Sequence, residues 1–316
     1  YGSALHPAGD GAAGGGFGWD TLATEGCAKN MNTVGAWDPA TRAMAPFSSY
    51  GPTDDGRLKP DLVAPGVRLF SAFAGGVDAY GRMSGTSMAT PTAAGGAALL
   101  QQLAVQRFGT QLRADMLKGL LLHTADDVLL KGPDYLSGFG LMNLPKARDL
   151  MQRQADFPRA QVLVQDVLEQ GATRIFRITV PAGAPELRAT LCWIDPPGTA
   201  QETLDSNVHA LINDLDIRIR GPRTDGVVEG AALPFAPDPG NPQLPCPRGR
   251  NLRDNVEQVR VENPAAGDYV VTVSHTGPLR SPFGGASQAF ALVMSGQRTA
   301  NGLDFWPDAP RIVRLT

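Results

Sequence analysis

Cysteine is scarce in this chain. Three residues, Cys27, Cys192 and Cys246, are too few and odd in number for a disulfide-built scaffold. A single bridge, Cys192 to Cys246, and three buried reduced thiols both fit that count. An excess of charge of one sign is also lacking. The 28 Lys and Arg against 31 Asp and Glu leave −3, so no basic footprint for nucleic acid exists. Nor does any apolar run approach the roughly 20 residues of a membrane span. The start, Tyr1 to Pro7, has neither the basic opening nor the apolar stretch of a signal peptide. Histidine is rarer than usual for an enzyme built on acid–base chemistry, at four residues.

Glycine and proline are abundant. The 37 Gly and 26 Pro favour tight turns and close backbone approaches over long helical bundles. With 42% hydrophobic and 19% charged residues, the 316-residue chain reads as globular, with one large domain or two ordinary ones.

Two helices stand out before residue 150. One runs from about Ser87 to Arg107, with Gly109 as its stop signal. Its stretch Ala93-Ala94-Gly95-Gly96-Ala97-Ala98 is small-sided, which suits a helix buried tightly against a sheet. The other spans about Leu112 to Thr124, with Thr110 as the expected N-cap and Leu112, Met116, Leu117 and Leu120 at helical spacing. Beyond Gln154 the period changes to two. Strands are expected at Arg174–Val180, Leu187–Ile194, Asp216–Arg220, Val256–Glu262, Tyr269–Ser274 and Ala289–Met294. Strands without intervening helices argue for an antiparallel sandwich, with the Pro-rich stretch 233–247 as an irregular excursion.

Chemistry concentrates in Gly85-Thr86-Ser87-Met88-Ala89-Thr90-Pro91. A serine at a helix entry sits where the amides and macrodipole favour negative charge, and its own N–H faces a developing oxyanion. Pro91 is expected in the first turn, where its missing N–H costs little. A plain N-cap serine before an Ala-rich helix is the other reading of Ser87.

The seven-residue motif resembles the nucleophile signature of the subtilisin-like serine proteases, the subtilases. Stretches on either side are similar to that family in the same order: Ala28-Lys29-Asn30, Thr33–Ala36, Phe47–Pro52, Lys59–Gly66, Leu121–Ala125 and Gly138–Gly140. Trp193–Pro197, Asn213–Asp216 and Asn255–Glu257 resemble the C-terminal jelly-roll of an alkaline bacterial branch. The resemblance implies an α/β fold, the serine-bearing half of a doubly wound parallel sheet over residues 1–154. An all-β jelly-roll sandwich over 155–298 and a C-terminal extension over 299–316 would follow. It implies a secreted or periplasmic serine endopeptidase acting on proteins or peptides, with no organic cofactor. Ser87 would be the catalytic nucleophile.

The family places its Asp and His before the serine. His6, His123, His209 and His275 all lie outside its His-Gly-Thr context, and His123 falls on a helix that is structural in the family. The triad Asp and His are therefore expected upstream of Tyr1, making this chain the C-terminal portion of a catalytic domain. Residues 1–150 are then expected to depend on that missing part, another chain or a rearranged sheet to cover an apolar face.

At the oxyanion hole the family presents an Asn amide. Here Pro7-Ala8-Gly9-Asp10-Gly11 aligns, so Asp10, with the Ser87 N–H, would line the site. An ionised carboxylate has no proton to donate. Losing such a donor in subtilisin costs about a hundred- to a thousandfold in rate. One prohormone convertase branch carries Asp at this position, and a simple turn role for Asp10 is the alternative. The glycine-rich loop 11–18 would border the pocket for the residue preceding the scissile bond. Asp195, Asp205, Asn213, Asp214 and Asp216 form an oxygen-rich set that is either a structural calcium site, as in secreted relatives, or solvated loop carboxylates. A catalytically silent binding module for protein or polysaccharide is the competing functional class.

Overall fold

The computed structural model describes residues 19–201, 203, 206–222, 227–228, 230–281 and 284–296. The expected C-terminal extension, residues 299–316, therefore lies outside the described residues.

The first part begins with a turn of 3-10 helix, Thr24–Cys27, and the strand β1, Val34–Asp38. Next come β2 (Ala43–Met44), β3 (Leu62–Pro65) and a hairpin of β4 (Leu69–Ala72) with β5 (Tyr80–Met83). Three helices follow: α1 (Thr86–Phe108), α2 (Ala114–Thr124) and α3 (Leu144–Asp156). β1 and β3 are parallel, with Val34 opposite Leu62 and Trp37 opposite Pro65, while β2 is antiparallel on the other edge of β1. Leu141 extends the parallel edge by an isolated bridge to Val63. Among the described residues, then, the parallel sheet is one strand pair with short additions.

α1 ends where expected, on Gly109 in the left-handed region with φ 77°. Its burial differs from expectation. Ala89, Ala93, Gly96, Leu100 and Ala104 are buried, at the three- and four-residue spacing of one helix face. The opposite face is open, with Leu99 60% and Val105 47% exposed. α2 is preceded by Arg113, which caps without a side-chain bond, so Thr110 does not serve as the cap. α3 was not foreseen from periodicity; Asn143 caps it by accepting from the Lys146 amide, and Pro145 is accommodated in its first turn.

Nine strands follow: β6 (Leu163–Glu169), β7 (Arg174–Val180), β8 (Glu186–Trp193), β9 (Asp214–Arg220), β10 (Val227–Val228), β11 (Ala231–Ala232), β12 (Val256–Glu262), β13 (Gly267–Thr276) and β14 (Ser287–Ser295). They form two antiparallel sheets, ordered β10-β11-β9-β13-β7 and β12-β8-β14-β6. Phe176, Ile178, Leu215, Ile217, Tyr269 and Val271 of the first sheet share one core with Leu187, Leu191, Trp193, Phe290 and Leu292 of the second. Alternation is clean in β7, whose Phe176, Ile178 and Val180 face inward, as period-2 patterning requires.

β8 and β14 break that alternation because both of their faces are covered. Leu191 and Leu292 point into the sandwich, whereas Cys192, Ala291 and Val293 join the core of the first part. α2 lies on that outer face, and Gly119 permits the approach: a Cβ there would sit 3.2 Å from the Cys192 Cβ. Leu120, Leu121 and Leu122 are all buried on this helix. Each contributes roughly 1.5–3 kcal/mol relative to exposure. The sandwich thus supplies core that the short parallel sheet lacks. All three cysteines are free thiols, so no Cys192–Cys246 bridge forms.

Candidate active site

Ser87 occupies the second position of α1, directly after the loop that leaves β5. Gly85 caps the helix, and its carbonyl accepts from the amides of Met88 at 3.0 Å and Ala89 at 3.2 Å. The Gly85 amide donates to Gly66 O at 2.9 Å, tying the turn to the end of β3. Gly66 is required there: a Cβ would meet the Ala36 Cβ at 2.8 Å and Gly85 O at 2.9 Å. The turn is pinned at a second point, where the Ser84 hydroxyl accepts from the Arg68 amide at 2.8 Å. Ser87 itself is exposed, and no described residue hydrogen-bonds its hydroxyl. This differs from an N-cap serine, whose oxygen would accept a helix amide.

Pro91 lies inside α1 rather than in its first turn. With no N–H at Pro91, the Ser87 carbonyl loses its helical partner four residues on. Thr90 and Thr92 offset the weakened ladder by donating their hydroxyls to the carbonyls of Thr86 at 3.0 Å and Met88 at 2.9 Å.

None of the described histidines serves the serine. His123 is buried, with Nδ1 2.9 Å from Thr190 Oγ1 and Nε2 2.9 Å from Ser295 Oγ. Burial, then the Arg188 and Arg260 guanidiniums, hold its pKa well below the usual range, so the ring stays neutral. His275 accepts the Gly171 amide at 2.7 Å on the sandwich surface. His6, Asp10 and the glycine-rich loop 11–18 lie outside the described residues.

The sequence-derived calcium set does not gather. Asp195 is buried and paired with Lys29, and it accepts the amides of Ile212 and Asn213. Asn213 spends its amide on Arg280 O and Gln288 Oε1. Asp214 and Asp216 do share a strand face, but Arg250 lies 2.8 Å from Asp214 and 3.4 Å from Asp216 and supplies the positive charge. Asp205 lies outside the described residues. Among the described residues no group of three or more His, Cys, Asp or Glu is placed to hold a metal ion. Among the described donors, Asp195, Asn213 and Asp216 are engaged by amides or cations, while Asp214 Oδ1 is buried without a partner.

With this geometry in hand, comparison with known proteins identifies the first part. Residues 11–140 match Peptidase_S8, described as the subtilase family. Residues 11–140 belong to the subtilase family. Ser87, the Gly66–Gly85 tie and α1 all fall inside this subtilase segment. The chain is 37% identical over 39% of its length to the serine protease AprX of Bacillus subtilis, covering 30% of AprX. It is 26% identical over 73% of its length to the Dictyostelium discoideum serine protease/ABC transporter B family protein tagA. It spans only 14% of tagA and 17% of tagB. Among solved structures, the patellamide maturation protease PatA shares 30% identity over 42% of this chain and 47% of PatA, with a TM-score of 0.36.

Sequence reasoning missed a buried ion cluster inside the subtilase segment. Asp61 pairs with Lys118 at 2.8 Å and with Lys59 at 2.5 Å, all three buried. Burial lowers Lys59 to about 8, while Asp61 remains ionised because Lys118 and Lys59 outweigh its own desolvation. Lys-Pro-Asp was visible as a motif, but its partner Lys118 lies 57 positions on and no local signal joins them.

Proposed function

We propose that this chain carries the nucleophile of a subtilisin-like serine endopeptidase. The observation that carries the reading is the exposed, unbonded Ser87 hydroxyl at the N-terminus of α1, within the subtilase match. Ser87 attacks the scissile carbonyl of a protein or peptide, and its backbone N–H donates to the oxyanion together with Asp10. Asp10 contributes there only as a protonated carboxyl. A base and its orienting carboxylate are required to take the serine proton. The neutral, fully bonded His123 is unsuited to that task, so both come from the missing N-terminal part of the catalytic domain.

That missing part also has a place to dock. The open face of α1, with Leu99 and Val105, and the hairpin residues Phe70, Phe73 and Tyr80 leave apolar surface exposed on the subtilase segment. The second part reads as a jelly-roll. The sheet orders β12-β8-β14-β6 and β11-β9-β13-β7 support that reading, since successive strands from β6 to β9 alternate between the sheets. Its role is to brace α2, and through α2 the serine layer. A secreted or periplasmic location follows from the family reading. Among the described residues no helix is long and apolar enough to cross a membrane.

The competing reading, a silent subtilase segment acting as a binding module, is favoured by the absence of a described base beside Ser87. Hydrolysis of an unfolded protein substrate by the full-length protein decides between them. Activity lost in Ser87→Ala supports the endopeptidase; equal rates in both proteins contradict it.

A further inference from the structure

A second cleft lies away from Ser87, along the seam between the subtilase segment and the sandwich. It is a cavity of about 610 Å³, bordered by β1, the loop after α2, the start of α3, and strands β8 and β12. A neighbouring cavity of about 280 Å³ is also lined by Lys146, Glu186 and Arg188. The larger cavity alone is in the range that holds a small organic molecule.

Its cations are graded by depth. Lys131 and Lys146 stand at the mouth with side chains 78% and 60% exposed, Arg188 is 16% exposed, and Arg260 only 6%. All four of these cations are paired with acids: Lys131 with Glu262, Lys146 with Asp126, Arg188 with Glu186 and Arg260 with Asp127. Two guanidiniums of the lining still have donors to spare. Arg42 is exposed at the rim and has no partner among the described residues. Arg260 donates through Nε to Gln258 at 2.7 Å and through Nη1 to Asp127 at 2.9 Å. Its Nη2 is buried with no hydrogen-bond partner at all.

A buried guanidinium nitrogen without an acceptor is costly, and native structures rarely retain one without cause. Here the cost is raised by crowding. Arg260 and Arg248 both lie over the Phe235 ring, at 5.6 and 4.1 Å. Burial and then Arg188 lower the Arg260 pKa, and burial and then Arg260 lower that of Arg248. Arg188 and Arg260, which both line the cavity, thus bring like charges together where there is room for a counterion. Guanidinium forks match carboxylate and phosphate oxygens better than any other common anion.

We propose that this seam cavity binds a small oxyanion, a carboxylate or phosphate group, anchored on Arg260 and closed at the rim by Arg42. The acids of the lining hold the flanking cations in place and admit hydrogen-bond donors elsewhere on the ligand. Because the walls come from both parts of the chain, occupancy also clamps the sandwich against the subtilase segment.

The test is calorimetric titration of the full 316-residue chain with inorganic phosphate and, separately, citrate, at ionic strength held constant with sodium chloride. Saturable binding of either probe is expected, and the probe that saturates identifies phosphate or carboxylate as the chemistry. Arg260→Gln should abolish saturation, and Arg42→Gln, a surface change that leaves the fold intact, should weaken it by about fivefold or more. Failure of both probes to saturate the unaltered chain overturns the proposal. So does a folded Arg260→Gln that binds as the unaltered chain does. If Arg260→Gln fails to fold, unchanged binding in Arg42→Gln overturns it instead.

Discussion

Lys29 Nζ lies 2.5 Å from Asp195 Oδ2, and that buried pair joins the loop before β1 to the end of β8. The same ammonium donates to Pro196 O at 2.8 Å, and Asn30 bonds both the Asp195 carbonyl and its amide at 3.0 Å. Nearby, Asp254 accepts the Leu58 amide at 3.0 Å. These bonds add polar ties to a seam whose apolar core is already shared between the two parts.

Asp195→Ala should therefore destabilise the whole chain. It leaves a buried ammonium and the amides of Ile212 and Asn213 without their acceptor. Removing one partner of a buried pair costs about 3–5 kcal/mol. Denaturant unfolding should show one cooperative transition in the parent and a lower midpoint in the variant. Two separate transitions in the parent would contradict the shared seam.

Gly119→Val should act through packing at the same seam. The new side chain forces α2 off β8 at Cys192, and overpacking of this kind costs about 1–3 kcal/mol. A thermal midpoint equal to that of the parent would show that α2 does not bear on the sandwich.

Gly66→Ala should act on the serine turn itself. The added Cβ pushes against Ala36 and the Gly85 carbonyl, which displaces the turn and overpacks the buried contact at a cost of about 1–3 kcal/mol. A displacement of about 1 Å at a reacting group costs about a hundredfold in rate. The rate of Ser87 acylation in folded full-length protein should fall by that order, and the thermal midpoint should fall with it; an unchanged acylation rate would contradict the tie between Gly66 and the serine turn.

Stability should fall as pH rises from the ordinary carboxylate range, about 4, through about 6. Burial raises Asp254 to about 6, and burial followed by Asp216 raises Asp214 to about 6. Glu257 is raised well above the carboxylate range by burial and then by Asp216 and Asp214, and its Oε1 is buried without a partner. Carboxyls raised in the fold favour the protonated state, so their contribution is present at low pH and lost as pH climbs through the folded value. Asp55 and Asp61 are lowered, so their contribution is lost only on acidification below the ordinary carboxylate range. Glu257→Gln and Asp254→Asn should flatten the decline, as followed by urea midpoints at each pH.

Much of this architecture was legible locally. Gly109 as the stop of α1 and the alternation that gave β7 and β9 are short-range signals. The Gly-Thr-Ser motif placed Ser87 on a helix entry for the same reason. α3 escaped because Pro145 reads as a breaker, although the Asn143 cap two residues earlier marks a helix start. The full burial of β8 and the docking of α2 were hidden, since covering both faces of a strand depends on a helix 60 to 80 positions away. For the acidic set, which the sequence leaves open between a calcium site and loop carboxylates, the pairing of Asp195 with Lys29 and of Asp214 with Arg250 was hidden for the same cause.

The most direct test of the account is covalent. Full-length protein containing this chain is treated with a fluorophosphonate, digested, and the adduct mapped by mass spectrometry. The account predicts a single modified serine, Ser87, and no adduct in Ser87→Ala. An unmodified Ser87 in folded full-length protein would contradict it.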